Sequence, residues 1–173
     1  MDYVVPGHVP PIDQRKTNLC WAAVLTMMVS WKDSTIYTME NVMDRAGSIY
    51  RTKFDRNELI HPNDIPELLK SFSIVSEPPA QNYAVAGWIQ LLRDYGPLWV
   101  TLAPDALHPW LLHAVVISGI RSDDTIEGTK FSLIDSGDPD QLEKNVSLAD
   151  FVEMFERVAE SEEIVFQVFH YPS

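Results

Sequence analysis

Only one cysteine, Cys20, stands among the 173 residues. No internal disulfide can form, and a zinc site would have to draw its ligands from other residue types. Basic charge is also scarce: 13 Lys and Arg face 25 Asp and Glu, giving a formal net charge of −12. Such a surface repels phosphate backbones and anionic lipid headgroups, so neither nucleic acid nor a membrane surface is an expected partner. A basic protein partner fits the charge, and so does plain solubility. No apolar run approaches the roughly 20 residues of a membrane-spanning helix. The opening Met1-Asp2-Tyr3-Val4-Val5-Pro6 lacks the basic start and apolar stretch of a cleavable signal. The expectation is a soluble chain made in the cytoplasm that, if exported, uses another route. Glycine is sparse, 7 against 12 prolines, which points to stiff, ordered loops rather than flexible linkers. Internal repeats and low-complexity segments are missing.

What is present is a hydrophobic content of 46%, enough for a core and too high for disorder. The length fits one domain, taken as residues 1–173. Up to about Asn18 the chain is proline-rich and extended. Trp21, Val24, Leu25, Met28 and Trp31 then recur at helical spacing and predict a helix over Cys20–Trp31, with Thr17 or Asn18 available as its cap. Further helices are expected over Met39–Ala46, stopped by Gly47, over Asn63–Phe72, and over Val85–Tyr95, ended by Gly96-Pro97. The second half reads as strands at Leu98–Leu102, Leu112–Ile120, Lys130–Asp135 and Glu163–Phe169. A helix over Ser147–Glu156 interrupts them, with Leu148, Phe151, Val152 and Phe155 on one face. The expected class is α+β: a helical half, about 14–95, packed on a mostly antiparallel sheet half, about 96–173, with a groove between them.

Chemistry concentrates at Cys20. A thiol at a helix N-terminus meets unpaired N–H groups and the positive end of the dipole, which favour its thiolate. The nucleophile needs a base. His113 opens the run Ala114-Val115-Val116-Ile117, so it sits at a strand start, where it can face a groove. If the following strand pairs antiparallel, Asp135 returns towards His113 and can fix its tautomer and orientation. Asp138, before Pro139, competes for that role. Gln14, six residues before Cys20, offers a side-chain amide for an oxyanion hole, with the Cys20 backbone N–H as second donor.

Gln14, five intervening residues and then Cys20-Trp21-Ala22 resemble the nucleophile motif of papain-like cysteine peptidases. The order Cys20, His113, Asp135, the segment Gly96-Pro97-Leu98-Trp99-Val100 and the late helix around Phe151 resemble compact bacterial members of that family. The Gly-Ser pair that commonly precedes the cysteine is replaced by Asn18-Leu19, and the third member is Asp rather than Asn. The resemblance is therefore nearest to bacterial effector peptidases of the type III and type VI secreted kind. It implies a papain-like fold, cleavage of a peptide bond in a protein substrate through a thioester, no cofactor and no metal. It further implies release by a specialised system, activity in the cytoplasm of a target cell, and a cognate immunity or inhibitor protein covering the active site.

Each residue has a plainer reading. Cys20 can be a buried structural thiol, His113 a satisfied strand histidine and Gln14 an exposed polar residue. His108, held extended before Pro109, is the alternative base. Its spacing to His113 suits no metal pair. His8, His61 and His170 are expected at the surface or groove rim. Trp21 and Trp110 are candidates to line the groove, as is Trp99. The same thiol also suits glutamine deamidation, transglutamination or peptidoglycan amide hydrolysis, or the fold can serve as a non-catalytic binding module.

Overall fold

The computed structural model describes residues 1–78, 81–160 and 166–173. Helices dominate the first half: α1 (Cys20–Asp33), α2 (Met39–Ala46), α3 (Ser48–Asp55), α4 (Ile65–Lys70) and α5 (Val85–Tyr95). Before them lies the short strand β1 (Asp2–Val4), and between α4 and α5 the two-residue β2 (Val75–Ser76). Then follow β3 (Leu98–Leu102), β4 (His113–Arg121), β5 (Lys130–Ile134), β6 (Glu143–Ser147), α6 (Leu148–Glu156) and β7 (Val168–His170). The strands form one antiparallel sheet in the order β2-β7-β3-β4-β5-β6, with β1 paired to the far end of β4. This is the α+β, papain-like arrangement expected from the sequence.

The sheet is covered on both faces, so β3 is buried at every position, Thr101 included. On one face Trp99, Ala114, Val116, Ile134 and Phe169 pack against α1. On the other, Val100, Val115, Phe131 and Leu133 meet α5 and α6. There Phe131 stacks on Phe151 at 4.0 Å, with Trp88 edge-on to Phe151 at 5.4 Å. With the sheet on one side and α2 and α4 in the same core, α1 is buried at every residue from Cys20 to Ser30. That burial fixes the position of its N-terminus, and hence of Cys20, relative to β4.

Differences from the sequence reading have local causes. Gly47 does end α2, but it also starts α3. That helix buries only Phe54 and leaves Ile49 exposed, so it carries little amphipathic signal. The helix expected over Asn63–Phe72 is divided into a 3-10 turn (Pro62–Asp64) and the shorter α4. The strand expected over Glu163–Phe169 falls partly outside the described residues; its described part begins at Val168 and extends to His170. His170 is a correction: it is 3% exposed, not at the surface. Its ring stacks on Tyr95 at 3.9 Å, and its nitrogens face Glu77 Oε1 and the Tyr171 carbonyl at 2.7 Å each.

Gly96 closes α5 with φ +84, a conformation that disfavours a side chain. A Cβ there would overlap Trp31 Cη2 and lie 2.6 Å from Cζ2. Trp31 cannot easily yield, because its indole N–H donates to the Pro6 carbonyl at 2.7 Å. Gly96→Ala is expected to destabilise the fold by about 2–3 kcal/mol through strain and overpacking together. Urea unfolding of the variant beside the wild type measures this, and an unchanged midpoint would mean that Trp31 has room to move.

Candidate active site

Cys20 is the first residue of α1. The N-cap is Leu19, whose side chain makes no capping bond. Neither Thr17 nor Asn18 caps the helix, contrary to the sequence reading. Asn18 is drawn off by Asn57, donating from Nδ2 to the Asn57 carbonyl at 3.0 Å and accepting from no helix N–H. The donors of the first turn are therefore left for other use. One of them, the Trp21 N–H, is directed at the Cys20 sulfur, as is the Ala114 N–H from β4.

His113 is the first residue of β4. Antiparallel pairing sets Val116 opposite Ile134. β5 ends there, so Asp135 follows directly on the strand end and Ser136-Gly137 turn beside His113. His113 Nε2 accordingly donates to Asp135 Oδ1 at 2.5 Å. The ring's other nitrogen, Nδ1, is left for the hydrogen bond that joins His113 to Cys20. Gly137 packs close to the ring: a Cβ there would lie 3.1 Å from His113 Cε1, so the imidazole would have to shift slightly. Asp135 Oδ1 also accepts the Gly137 N–H at 3.0 Å, and its Oδ2 accepts from Lys144 Nζ at 3.0 Å.

The electrostatics follow from these contacts. Burial pushes the Cys20 thiol up, but the hydrogen bond and charge of His113, aided by the Ala114 and Trp21 N–H groups, bring it below its ordinary value. Burial opposes the charged form of His113, yet Asp135 and Cys20 outweigh it and raise the imidazolium to about 10. For Asp135 burial again favours the neutral form. His113, then Lys144 and the Gly137 N–H, hold the carboxyl well below the usual carboxylate range. Each shift favours the charged partners: thiolate, imidazolium and carboxylate.

The other candidates are distributed unevenly. Asp138 is not on the imidazole; its Oδ2 accepts from Lys144 at 3.1 Å. His108 is exposed in the β3–β4 loop, bonded to Asp105 at 2.6 Å and edge-on to Trp110, away from Cys20. Gln14 is buried, not exposed, and its oxygen accepts from Ser136 Oγ at 2.9 Å. Its Nε2 donates to the carbonyls of Lys16 at 2.8 Å and Thr17 at 3.1 Å, so both amide hydrogens hold the turn leading to Cys20. The Cys20 N–H, by contrast, has no backbone acceptor among the described residues.

A cleft of about 650 Å³ opens over Cys20 and His113. Its lining is largely apolar, drawn from Leu59, Ile60, Pro62 and Ile65 and from Pro109, Trp110 and Leu112, with Trp21 and Trp99. Trp21 is fixed by donating to the Glu58 carbonyl at 3.1 Å, whereas Trp110 is 63% exposed. His61 stands at the rim with Glu160. No helix among the described residues is long and apolar enough to cross a membrane.

Nothing in the sequence marks Ser136, Gly137 as a packing position, the Ala114 N–H or Lys144 as part of the site. Ser136-Gly137 is a turn dipeptide by composition and carries no chemical signal of its own. Lys144 carried none, because β6 reads Glu-Lys-Asn-Val-Ser and does not announce a strand.

With this geometry in place, comparison with known families gives a match over residues 4–156 to the model described as papain-like cysteine protease AvrRpt2. No curated protein matches the chain.

Proposed function

Since the chain belongs to the papain-like cysteine protease AvrRpt2 family, a bacterial effector family, and is a cysteine peptidase, we propose that Cys20 is its nucleophile, His113 its acid and base, and Asp135 the group that orients His113. The observation that carries the assignment is His113, bonded to Asp135 at 2.5 Å, interacting with Cys20 at the floor of an apolar cleft. The thiolate attacks the carbonyl carbon of the scissile peptide bond, and the carbonyl oxygen takes up the negative charge. Collapse breaks the C–N bond while His113 gives its Nδ1 proton to the leaving amine. This leaves a thioester on Cys20. His113, now neutral, takes a proton from water as the water oxygen attacks the thioester; the thiolate departs and a carboxylic acid is released.

The developing oxyanion is met by the Cys20 N–H and by Gln14 Nε2, which exchanges its longer bond, the one to Thr17 at 3.1 Å, for the oxyanion. Gln14→Ala is therefore expected to lower kcat about 10²–10³-fold with little change in KM. Steady-state kinetics on folded variant decides it. A loss of thermal stability with kcat intact would assign Gln14 to the turn alone.

The substrate is a protein, and the setting proposed is that of an effector or toxin acting inside a target cell. A cognate immunity protein seated on the cleft would protect the producer. A lone cysteine is consistent with folding in a reducing compartment. Wild type and a Cys20→Ala control, each incubated with lysate of target cells, test the reading. New N-termini produced by the wild type alone support proteolysis. A gain of about 1 Da at glutamine, without cleavage, would reassign the same thiol to deamidation, which shares the acyl-enzyme chemistry.

A further inference from the structure

Lys144 lies on β6 in register with Leu133 of β5, and its side chain is 24% exposed. Its ammonium donates to Asp135 Oδ2 at 3.0 Å and to Asp138 Oδ2 at 3.1 Å. Asp135 thus divides its two oxygens, Oδ1 for His113 Nε2 and the Gly137 N–H, Oδ2 for Lys144. The charged groups that face Asp135 among the described residues are His113 from β4, with Cys20 behind it on α1, and Lys144 from β6. Asp138, from the loop after β5, is joined through Lys144.

We propose that Lys144 is a positioning residue of the peptidase site, clamped between Asp135 and Asp138 so that Asp135 stays ionised and turned towards His113. The inference rests on reading Cys20, His113 and Asp135 as the catalytic group. Two carboxylates that share one ammonium repel each other once it is removed, and repulsion between like charges makes one of them take up a proton more readily. A protonated Asp135 no longer balances the imidazolium. His113 then returns its proton to the Cys20 thiolate, and the reactive pair is lost at a pH where the wild type keeps it. Asp138 acts in the opposite sense to Lys144. It draws part of the lysine charge away from Asp135, so neutralising Asp138 leaves Asp135 more securely ionised. A lysine that merely braced β6 against β5 would change stability without moving any titration.

Cys20 is the only cysteine, so alkylation by iodoacetamide reports on it alone and needs no substrate. The rate against pH is measured on the full chain for wild type, Lys144→Met, Lys144→Arg, Asp138→Asn and the Lys144→Met/Asp138→Asn pair, with thermal melts alongside. Lys144→Met is expected to move the acid limb upward by about one pH unit. Lys144→Arg should restore it, Asp138→Asn should leave it at or below the wild-type pH, and the double variant should fall between wild type and Lys144→Met. An acid limb for folded Lys144→Met that coincides with wild type overturns the clamp, as does an Arg variant that behaves like Met. If Lys144→Met fails to fold, Asp138→Asn decides alone, and an upward shift there overturns the proposal. A wild-type Cys20 no more reactive than a free thiol would instead overturn the catalytic assignment itself.

Discussion

Cys20→Ala removes peptide cleavage, with an expected loss of about 10⁴–10⁶-fold, while the far-ultraviolet dichroism stays that of the wild type. The size follows from the chemistry: no other thiol is present, and neither His113 nor Asp135 can form the thioester. The fold is spared because alanine suits the first turn of a helix and only the sulfur leaves a site packed by α1 and β4. The same substitution should also be visible at His113. Burial works against its charged form; the hydrogen bonds and charges of Asp135 and Cys20 together raise it to about 10. Without the sulfur, the Cys20 part of that support is gone and Asp135 remains, so the imidazolium in Cys20→Ala gives up its proton at lower pH than in the wild type. A histidine titration followed by NMR on both proteins reads the change. An imidazole that titrates identically in the two would mean that Cys20 and His113 do not interact in solution. In the wild type, the thiolate–imidazolium pair exists from the lowered thiol pKa up to about 10. Activity should therefore extend below the ordinary thiol range and fall on the alkaline side as His113 loses its proton.

Asp135→Ala is expected to lower kcat/KM by about 10³–10⁴-fold, the scale on which an orienting carboxylate matters in comparable triads. His113 Nε2 loses a 2.5 Å bond, and nothing else within the described contacts of the ring can replace it. The imidazole is then free to turn, and the preference for its charged form weakens. Asp138→Ala removes only the outer acceptor of Lys144 and should cost far less. Kinetics on the two variants, with their folding checked by melting, rank the carboxylates. A greater loss for Asp138→Ala would mean that the loop rearranges to bring that side chain to His113 when substrate binds.

Much of the architecture was legible because burial writes itself into periodicity. The apolar spacing from Trp21 to Trp31 gave α1, and Gly96-Pro97 closed α5 where the structure closes it. β3 and β4 announced themselves by predominantly apolar stretches, such as Ala114 to Ile117, the mark of strands covered on both faces. α3 and β6 stayed hidden for the converse reason: each is held mainly by its neighbours and presents few apolar side chains to the core. The positions now found around Cys20 divide in the same way. Cys20, His113 and Asp135 carry reactive side chains in a meaningful order. Lys144, Gly137 and the Ala114 N–H matter only through register, and register depends on a strand pairing that no stretch of β5 or β6 encodes alone. Gln14 was noticed for its amide, but the turn that the amide holds involves main-chain carbonyls at Lys16 and Thr17, to which the sequence is silent.

The distance along the chain between Cys20 on α1 and the β4–β5–β6 ladder has a temporal meaning. A ribosome delivers the thiol early and the residues proposed to activate it, His113 and Asp135, only in the second half of the chain. Until β5 pairs with β4, and β6 with β5, the nascent thiol lacks its imidazolium partner and the lysine beneath it, and reacts as an ordinary, mostly protonated cysteine. Nucleophilicity is thereby postponed until α1 packs on β4, a contact between residues far apart in the chain, which forms slowly. The growing chain is protected from its own chemistry during synthesis, and the sudden rise in reactivity of a single thiol would time the closing of the sheet.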